Sequence, residues 1–69
     1  TKSEHELLDK ARASEERHIT HYPQGEREEI RQIFIQQGFS GEILEEIVTV
    51  ITDDRKLWVD TMLTEELGV

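Results

Sequence analysis

The chain has 69 residues, no cysteine, and 16 acidic residues against 8 Lys and Arg, for a formal net charge of −8. A chain of this length forms one small domain with a thin core, which a metal ion or a second copy often supports. The lack of cysteine excludes disulfide, zinc–thiolate and iron–sulfur chemistry. The acidic balance argues against a nucleic-acid partner, because phosphate contacts need clustered Lys and Arg.

The first half of the chain predicts two helices. A polar helix over residues 4 to about 20 ends before Pro23, since the residue before a proline is disfavoured in the helical region. A second helix begins at Pro23 or Gly25 and ends at Gly38, which can adopt the left-handed conformation of a helix cap.

The second half predicts two further helices. Ser40 is an N-cap for a helix over residues 42 to about 51, whose apolar spacing is helical although its β-branched residues also permit a strand over residues 47–52. Polar residues 52–54 then form a capping signal for a last helix, which includes residues 57–68.

The apolar residues of the last three helices predict a common core. That core comprises Ile30, Ile33, Phe34, Phe39, Leu44, Ile47, Ile51, Leu57, Trp58 and Leu63. On the third helix, the inward positions are Ile43, Leu44, Ile47, Val50 and Ile51, and on the fourth an apolar row of Val59, Leu63 and Leu67 borders the core.

The first helix has only a narrow apolar edge, formed by Leu7, Leu8 and Ala11 and continued by Glu15 and His18. Such an edge is too small to be held firmly by the core, so we expect it to contact another partner, such as a second copy of the chain. The predicted fold is therefore all-α, with a long first helix, a compact bundle of three shorter helices, and a dimeric assembly.

Three pairs of side chains have the spacing at which a helix offers two ligands to one ion. Positions i, i+3 and i, i+4 share one helix face, and the pairs are Glu15 with His18, Glu26 with Glu29, and Met62 with Glu66. Each pair also has a simpler interpretation. Glu pairs arise by chance in an acidic chain, and Glu26 and Glu29 also complement a helix dipole. His18 is then a surface histidine, Met62 belongs to the core, and Glu66 is a solvated residue at a helix end.

The donor types indicate a borderline transition metal. Carboxylates with one imidazole suit Fe²⁺, Mn²⁺, Co²⁺ or Zn²⁺, and a thioether disfavours Mg²⁺ and Ca²⁺. Fe²⁺ is the most natural ion for this set, with Zn²⁺, Co²⁺ and Mn²⁺ as substitutes. Several carboxylates brought together also need a cation or protons to offset their repulsion.

Two other classes of protein compete with this interpretation. The segment 37–40 between two short helices resembles three-helix modules of the ubiquitin-associated type, which bind partners through an apolar patch. Glu15-x-x-His18 resembles half of a ferritin-like di-iron site, but only one such motif is present and the chain is too short for that bundle. No acidic loop has the length of an EF-hand. No nucleophile triad or phosphate loop is visible, so we predict no enzymatic activity.

The sequence also resembles a known family. Lys2-Ser3-Glu4, Glu15 before the Pro23 turn, Glu26-x-x-Glu29 and above all the run W-x-D-x-M-x-x-x-E-L-G at residues 58–68 are similar to the cytoplasmic metal-binding domain of the vacuolar iron transporter family. The resemblance covers essentially the whole chain, and the run at residues 58–68 is its specific part.

The resemblance implies a place and a function. The domain would lie between the second and third transmembrane helices of a dimeric Fe²⁺/H⁺ antiporter, so that residues 1–69 form one excised domain on the cytosolic face of a plasma or vacuole-type membrane. It would capture Fe²⁺ for proton-coupled export from the cytosol and contact the membrane only through its parent transporter.

The resemblance also implies the ligands. The family's ligand positions correspond to Glu15, Glu26, Glu29, Met62 and Glu66. Two positions depart from the plant members: His18 replaces a second carboxylate, and Leu63, which we assign to the core, replaces a second methionine. His18 can still bind a metal as a neutral nitrogen donor.

Overall fold

A computed structural model describes the backbone of residues 2–68 and the side chains of residues 6–68. It contains four helices: α1 (Lys2–His21), α2 (Pro23–Gln36), α3 (Gly41–Asp53) and α4 (Arg55–Leu67). No strand occurs within residues 2–68, so the all-α prediction of a long helix followed by three shorter ones is confirmed and the strand alternative is wrong. Thr1 and Val69, where we expected membrane helices to adjoin, and the side chains of the Lys2-Ser3-Glu4 segment lie outside the described residues.

The boundary between α1 and α2 follows from proline chemistry. Tyr22 has φ −133° and is the only residue between the two helices, while Pro23 occupies the first turn of α2. Because proline needs no hydrogen-bond partner for its nitrogen, it is well suited to a helix start. The direct turn brings the end of α1 close to the start of α2.

The end of α2 is a Schellman motif. Gly38 has φ +103°, its N–H donates to the carbonyl of Ile35 at 3.0 Å, and the N–H of Phe39 donates to the carbonyl of Phe34 at 3.0 Å. The rings of Phe34 and Phe39 meet edge to face with centroids 6.0 Å apart, which supplies the apolar contact typical of this motif. The predicted glycine cap is therefore confirmed.

The predicted starts of α3 and α4 are also confirmed in position. Ser40 is the N-cap residue of α3 in an extended conformation, but its side chain forms no capping hydrogen bond. Asp54 caps α4 by accepting a hydrogen bond from the backbone N–H of Leu57 at 3.2 Å.

The four helices pack with α2 and α4 in the middle. These two helices contact each other, and each also contacts α1 and α3, whereas α1 and α3 make no contact within the described residues. The resulting domain is elongated, with principal extents of 42 × 24 × 16 Å. Over residues 2–68, no helix is both long enough and apolar enough to cross a membrane.

The core is formed by one row from each helix. Its buried members are Ile19, Ile30, Leu44, Val48, Ile51, Trp58, Val59, Met62 and Leu63, with Ala11, Ile33, Phe34 and Ile47 packed partly buried against them. Most of the predicted core residues are thus confirmed, including Leu63.

Several predicted core positions are wrong. Phe39 and Leu57 are each 39% exposed, because Phe39 packs on the Schellman turn and Leu57 lies in the first turn of α4. On α3, Ile43 and Val50 are exposed, since the helix buries the row of Leu44, Val48 and Ile51 instead. Leu67 of the predicted apolar row is exposed at the end of α4.

The C-terminal half of α1 is held more firmly than the sequence predicts. Ile19 is 1% exposed and joins the core. Polar contacts to α4 add to this packing: Arg12 donates to Asp60 at 2.6 Å, and Arg55 donates to the hydroxyl of Thr20 at 2.9 Å. The expectation of a loosely packed helix applies only to its earlier part, where residues 6–10 are all exposed.

Candidate metal centre

Three of the predicted ligands meet where α1 turns into α2. Glu15 and His18 lie one turn apart on α1, and Glu26 lies in the first turn of α2. One ligand atom from each lies within 4.8 Å of the others. The Nδ1 atom of His18 is 3.9 Å from Oε2 of Glu15 and 4.0 Å from Oε1 of Glu26. The predicted pair Glu15–His18 therefore meets Glu26, a member of the second predicted pair.

The two carboxylates of this group are largely removed from water. Glu15 is 2% exposed and is the only buried charged residue among the described side chains. Its Oε1 atom and the Oε2 atom of Glu26 are buried without a hydrogen-bond partner. A buried carboxylate oxygen that lacks a partner is energetically unfavourable, so these atoms favour the binding of a proton or a cation.

Glu29 and Glu66 extend this pair into a chain of four carboxyl groups. Short contacts between the side chains link Glu29 to Glu26, Glu26 to Glu15, and Glu15 to Glu66. We call Glu15, Glu26, Glu29 and Glu66 the carboxylate cluster. It draws one or more members from each of α1, α2 and α4.

Burial and mutual contact raise the pKa values of three members. For Glu15 the main cause is desolvation, and the negative charge of Glu66 adds to it. The pKa of Glu26 is raised by desolvation and by the contact with Glu15, and the pKa of Glu29 is raised by desolvation and by Glu26. Each carboxyl is thus harder to ionise than an exposed one, because burial and the neighbouring carboxyls both disfavour its charged form.

Met62 lies at the other end of the cluster. The groove between α2 and α4, with a volume of about 300 Å³, is lined by Glu28, Glu29, Gln32, Ile33, Gln36, Met62, Glu65 and Glu66. Met62 is 3% exposed and forms part of the groove's apolar floor. The predicted Met62–Glu66 pair therefore lies beside Glu29, and the contacts of Glu66 and Glu29 continue the site to Glu15 and Glu26.

No arginine or lysine forms an ion pair with the cluster among the side chains of residues 6–68. Arg12 pairs with Asp60, and Arg31 pairs with Glu28 and Glu45. The one basic neighbour is His18, whose side chain is 53% exposed. The cluster can accept protons or a divalent cation. Together with His18 and Met62 it offers oxygen, nitrogen and sulfur donors, a mixture that suits a borderline transition metal.

The sequence prediction missed part of the groove. Gln32, Gln36 and Glu65 line it but were not predicted as site residues. A signal was present, because Glu29, Gln32 and Gln36 recur at spacings of three and four on α2. The missing information was that this polar row faces α4.

The comparison with protein families gives one result. A family model described as "VIT family" matches residues 1–69, which is the whole chain. No curated protein and no solved structure matches the chain. The match supports the resemblance to vacuolar iron transporters and gives no support to the ubiquitin-associated alternative.

Proposed function

The chain belongs to the VIT family, a family of membrane transporters, and we propose that it is the metal-capture domain of an iron transporter. The carboxylate cluster, His18 and Met62 bind Fe²⁺ from the cytosol for proton-coupled export, and Zn²⁺, Co²⁺ and Mn²⁺ can take its place. In this proposal residues 1–69 form one domain between two transmembrane helices of the parent protein, on the cytosolic face of its membrane. The domain itself is not an enzyme.

The observation that supports this function is the pair of buried, unpartnered carboxylate oxygens. Oε1 of Glu15 and Oε2 of Glu26 have no hydrogen-bond donor, although the two side chains touch each other. Folding a domain around two such groups is unfavourable unless something positive binds between them. A divalent cation meets that need directly at neutral pH.

The gradient of exposure across the site suggests how ions enter and leave. Glu15 is buried, Glu26 is partly buried, and His18, Glu29 and Glu66 are exposed. The net charge of −8 raises the local concentration of cations. Exposed donors at the rim would capture an ion and pass it to or from the buried carboxylates, so binding remains exchangeable.

An anaerobic calorimetric titration at neutral pH tests this function. We expect saturable binding of Fe²⁺ at more than one ion per chain. Each carboxylate has two oxygens and can bridge two ions, so the four carboxylates with His18 and Met62 offer more donor atoms than one ion binds. Mg²⁺ and Ca²⁺, titrated in parallel, should produce little heat. Equally weak responses to all three ions would mean that the carboxylates form only a solvated acidic surface, and would overturn the proposal.

We also propose that two copies associate through their first helices. Leu7 is 68% exposed and Leu8 is 46% exposed, on the part of α1 that the rest of the domain does not cover. Burying these side chains against a second α1 would remove apolar surface from water. The contact would also explain why a helix of this length continues beyond the core.

Sedimentation equilibrium tests the dimer with a matched control. We expect the wild-type chain with bound metal to be dimeric and the Leu7→Ser, Leu8→Ser double variant to be monomeric. Val50→Ser, which alters an equally exposed apolar residue on α3, should leave the dimer intact. A wild-type monomer at high concentration, with metal present, would overturn the proposal.

A further inference from the structure

His18 is the single nitrogen donor at the α1–α2 end of the candidate metal centre. Its Nδ1 atom lies almost equally far from the two carboxylates, at 3.9 Å from Glu15 and 4.0 Å from Glu26. Two donors that each bind one ion at about 2.1 Å lie about 3.0–3.4 Å apart for octahedral to tetrahedral angles. A shift of less than 1 Å in an exposed side chain would therefore bring the imidazole into the coordination sphere.

The surroundings of His18 leave it free to make that shift. Its side chain is 53% exposed, whereas those of Glu15 and Glu26 are 3% and 12% exposed. The two carboxylates are thus largely enclosed, whereas the imidazole beside them is half exposed to solvent. An ion that enters this end of the site meets two oxygen donors from inside and one nitrogen donor from outside.

That donor set discriminates among divalent ions. Imidazole nitrogen suits Zn²⁺, Fe²⁺ and Ni²⁺, whereas carboxylate and water oxygens suit Mg²⁺, Ca²⁺ and Mn²⁺. Two carboxylates alone would therefore select weakly among these ions. We propose that His18 is a specificity-determining residue that makes this end of the site prefer Zn²⁺ and Fe²⁺ over Mn²⁺. This inference rests on the proposed metal-capture function.

A second histidine, His21, provides a matched control for the role of His18. His21 lies one turn after His18 on α1 and is also exposed, but its ring lies 6.4 Å from the ring of Tyr22 and it is not part of the Glu15–His18–Glu26 group. Removing either histidine changes the histidine count by the same amount. Only the removal of His18 should change the selectivity of the site.

Competition between Zn²⁺ and Mn²⁺ at one fixed pH tests the proposal. We expect His18→Glu to bind both ions but to lower the ratio of Zn²⁺ to Mn²⁺ affinity by about tenfold or more, since mutating even the residues that orient a ligand changes metal affinity on that scale. His21→Ala should keep the wild-type ratio. In wild-type protein, the ring ¹⁵N signals of His18 should shift on addition of Zn²⁺ while those of His21 remain in place.

The possible outcomes distinguish a failure of the role of His18 from a failure of the proposed metal-capture function. An unchanged affinity ratio in His18→Glu, or a His18 ring that does not respond to Zn²⁺ while the protein binds the ion, would overturn the role of His18 and leave metal capture intact. Wild-type protein that binds neither Zn²⁺, Mn²⁺ nor Fe²⁺ would overturn both.

Discussion

Two groups of carboxylates on neighbouring sides of α2 differ in whether a basic side chain neutralises their negative charge. Glu28 accepts hydrogen bonds from Arg31 at 2.5 Å and Gln32 at 3.0 Å, and Arg31 also binds both oxygens of Glu45, at 3.0 and 2.8 Å. These hydrogen bonds lower the pKa values of Glu28 and Glu45. One or two positions along the same helix, Glu26 and Glu29 form no ion pair with Lys or Arg among the side chains of residues 6–68. Their titratable neighbours are other carboxyls and the exposed His18, and their pKa values are raised.

The difference shows that the number of acidic residues says little about which of them can bind a cation. Arg31 satisfies Glu28 and Glu45 within the protein, so neither needs an ion. The carboxylate cluster has no such partner among the side chains of residues 6–68 and is partly buried as well. Protons or a metal ion from outside the protein can therefore compensate its charges.

The largest expected effect is on metal binding. Changing Glu26 and Glu29 together to Gln should remove most Fe²⁺ binding, because both members contributed by α2 lose their charge. The matched double variant Glu45→Gln, Glu46→Gln removes two charges from α3 and should keep the wild-type stoichiometry. Calorimetry measures the stoichiometry, and circular dichroism should show unchanged helicity in both variants. Unchanged Fe²⁺ binding in the Glu26→Gln, Glu29→Gln variant would contradict the assignment of the metal site to the carboxylate cluster.

A large effect on folding is expected at Ile30, which is 0% exposed and lies next to Glu29 on α2. Ile30→Ala should lower the free energy of unfolding by about 2–5 kcal/mol, because the lost methyl groups leave a cavity between packed helices. Val50→Ala, on the exposed side of α3, should change it by about 0.5 kcal/mol or less. Chemical denaturation measures both values, and equal losses would contradict the packing described.

A smaller effect of opposite sign is expected at Glu15. Glu15→Gln removes a buried charge and should raise the stability of the metal-free chain at neutral pH by on the order of 1 kcal/mol. In the wild type, the raised pKa values mean that the folded state holds protons which the unfolded state releases above pH 4.5. The stability from these protons is fully present below pH 4.5 and is lost as the pH rises through the raised values.

Thermal unfolding of the metal-free chain at several pH values tests this behaviour. The advantage of Glu15→Gln over the wild type should be smallest near pH 4.5 and should grow toward neutral pH. A saturating divalent metal should reverse it at neutral pH, since only the wild type retains the full ligand set. A wild type that gains stability from the cluster as the pH rises would contradict the raised pKa values.

The smallest effect is expected at the compensated group. Glu45→Gln should lower the melting temperature slightly, because an exposed ion pair contributes little and salt screens it. The difference between variant and wild type should shrink further in high salt, while the effect of Glu15→Gln should be less sensitive to salt. If Glu45→Gln destabilised the chain as much as Ile30→Ala, the result would contradict the small contribution that we assign to this exposed ion pair.

The sequence predicts the helix boundaries well because local chemistry sets them. Pro23, Gly38, Ser40 and Asp54 each act through their own backbone or through residues within one turn. Which side of α3 is buried could not be predicted in the same way. The row of Leu44, Val48 and Ile51 and the row of Ile43, Ile47 and Val50 both have helical spacing, and only packing against α2 and α4 decides between them.

The candidate site could likewise be predicted only in part from the sequence. Spacing within one helix predicts the pairs Glu15–His18, Glu26–Glu29 and Met62–Glu66. Glu15 contacts both Glu26 and Glu66. The first contact depends on the turn at Tyr22, and the second depends on the packing of α1 against α4. Ile19 and Arg12 stabilise that packing. Contacts between helices depend on residues from several segments, so the spacing within one segment does not predict them.

The most direct test is an anomalous difference map from a crystal of the chain soaked with Co²⁺ or Zn²⁺. The strongest peak should lie between Glu15, His18 and Glu26, with any further ions along the cluster toward Glu66 and Met62. Peaks confined to the acidic surface of α3, at Glu42, Glu45 and Glu46, with none at Glu15, would contradict metal capture by the carboxylate cluster.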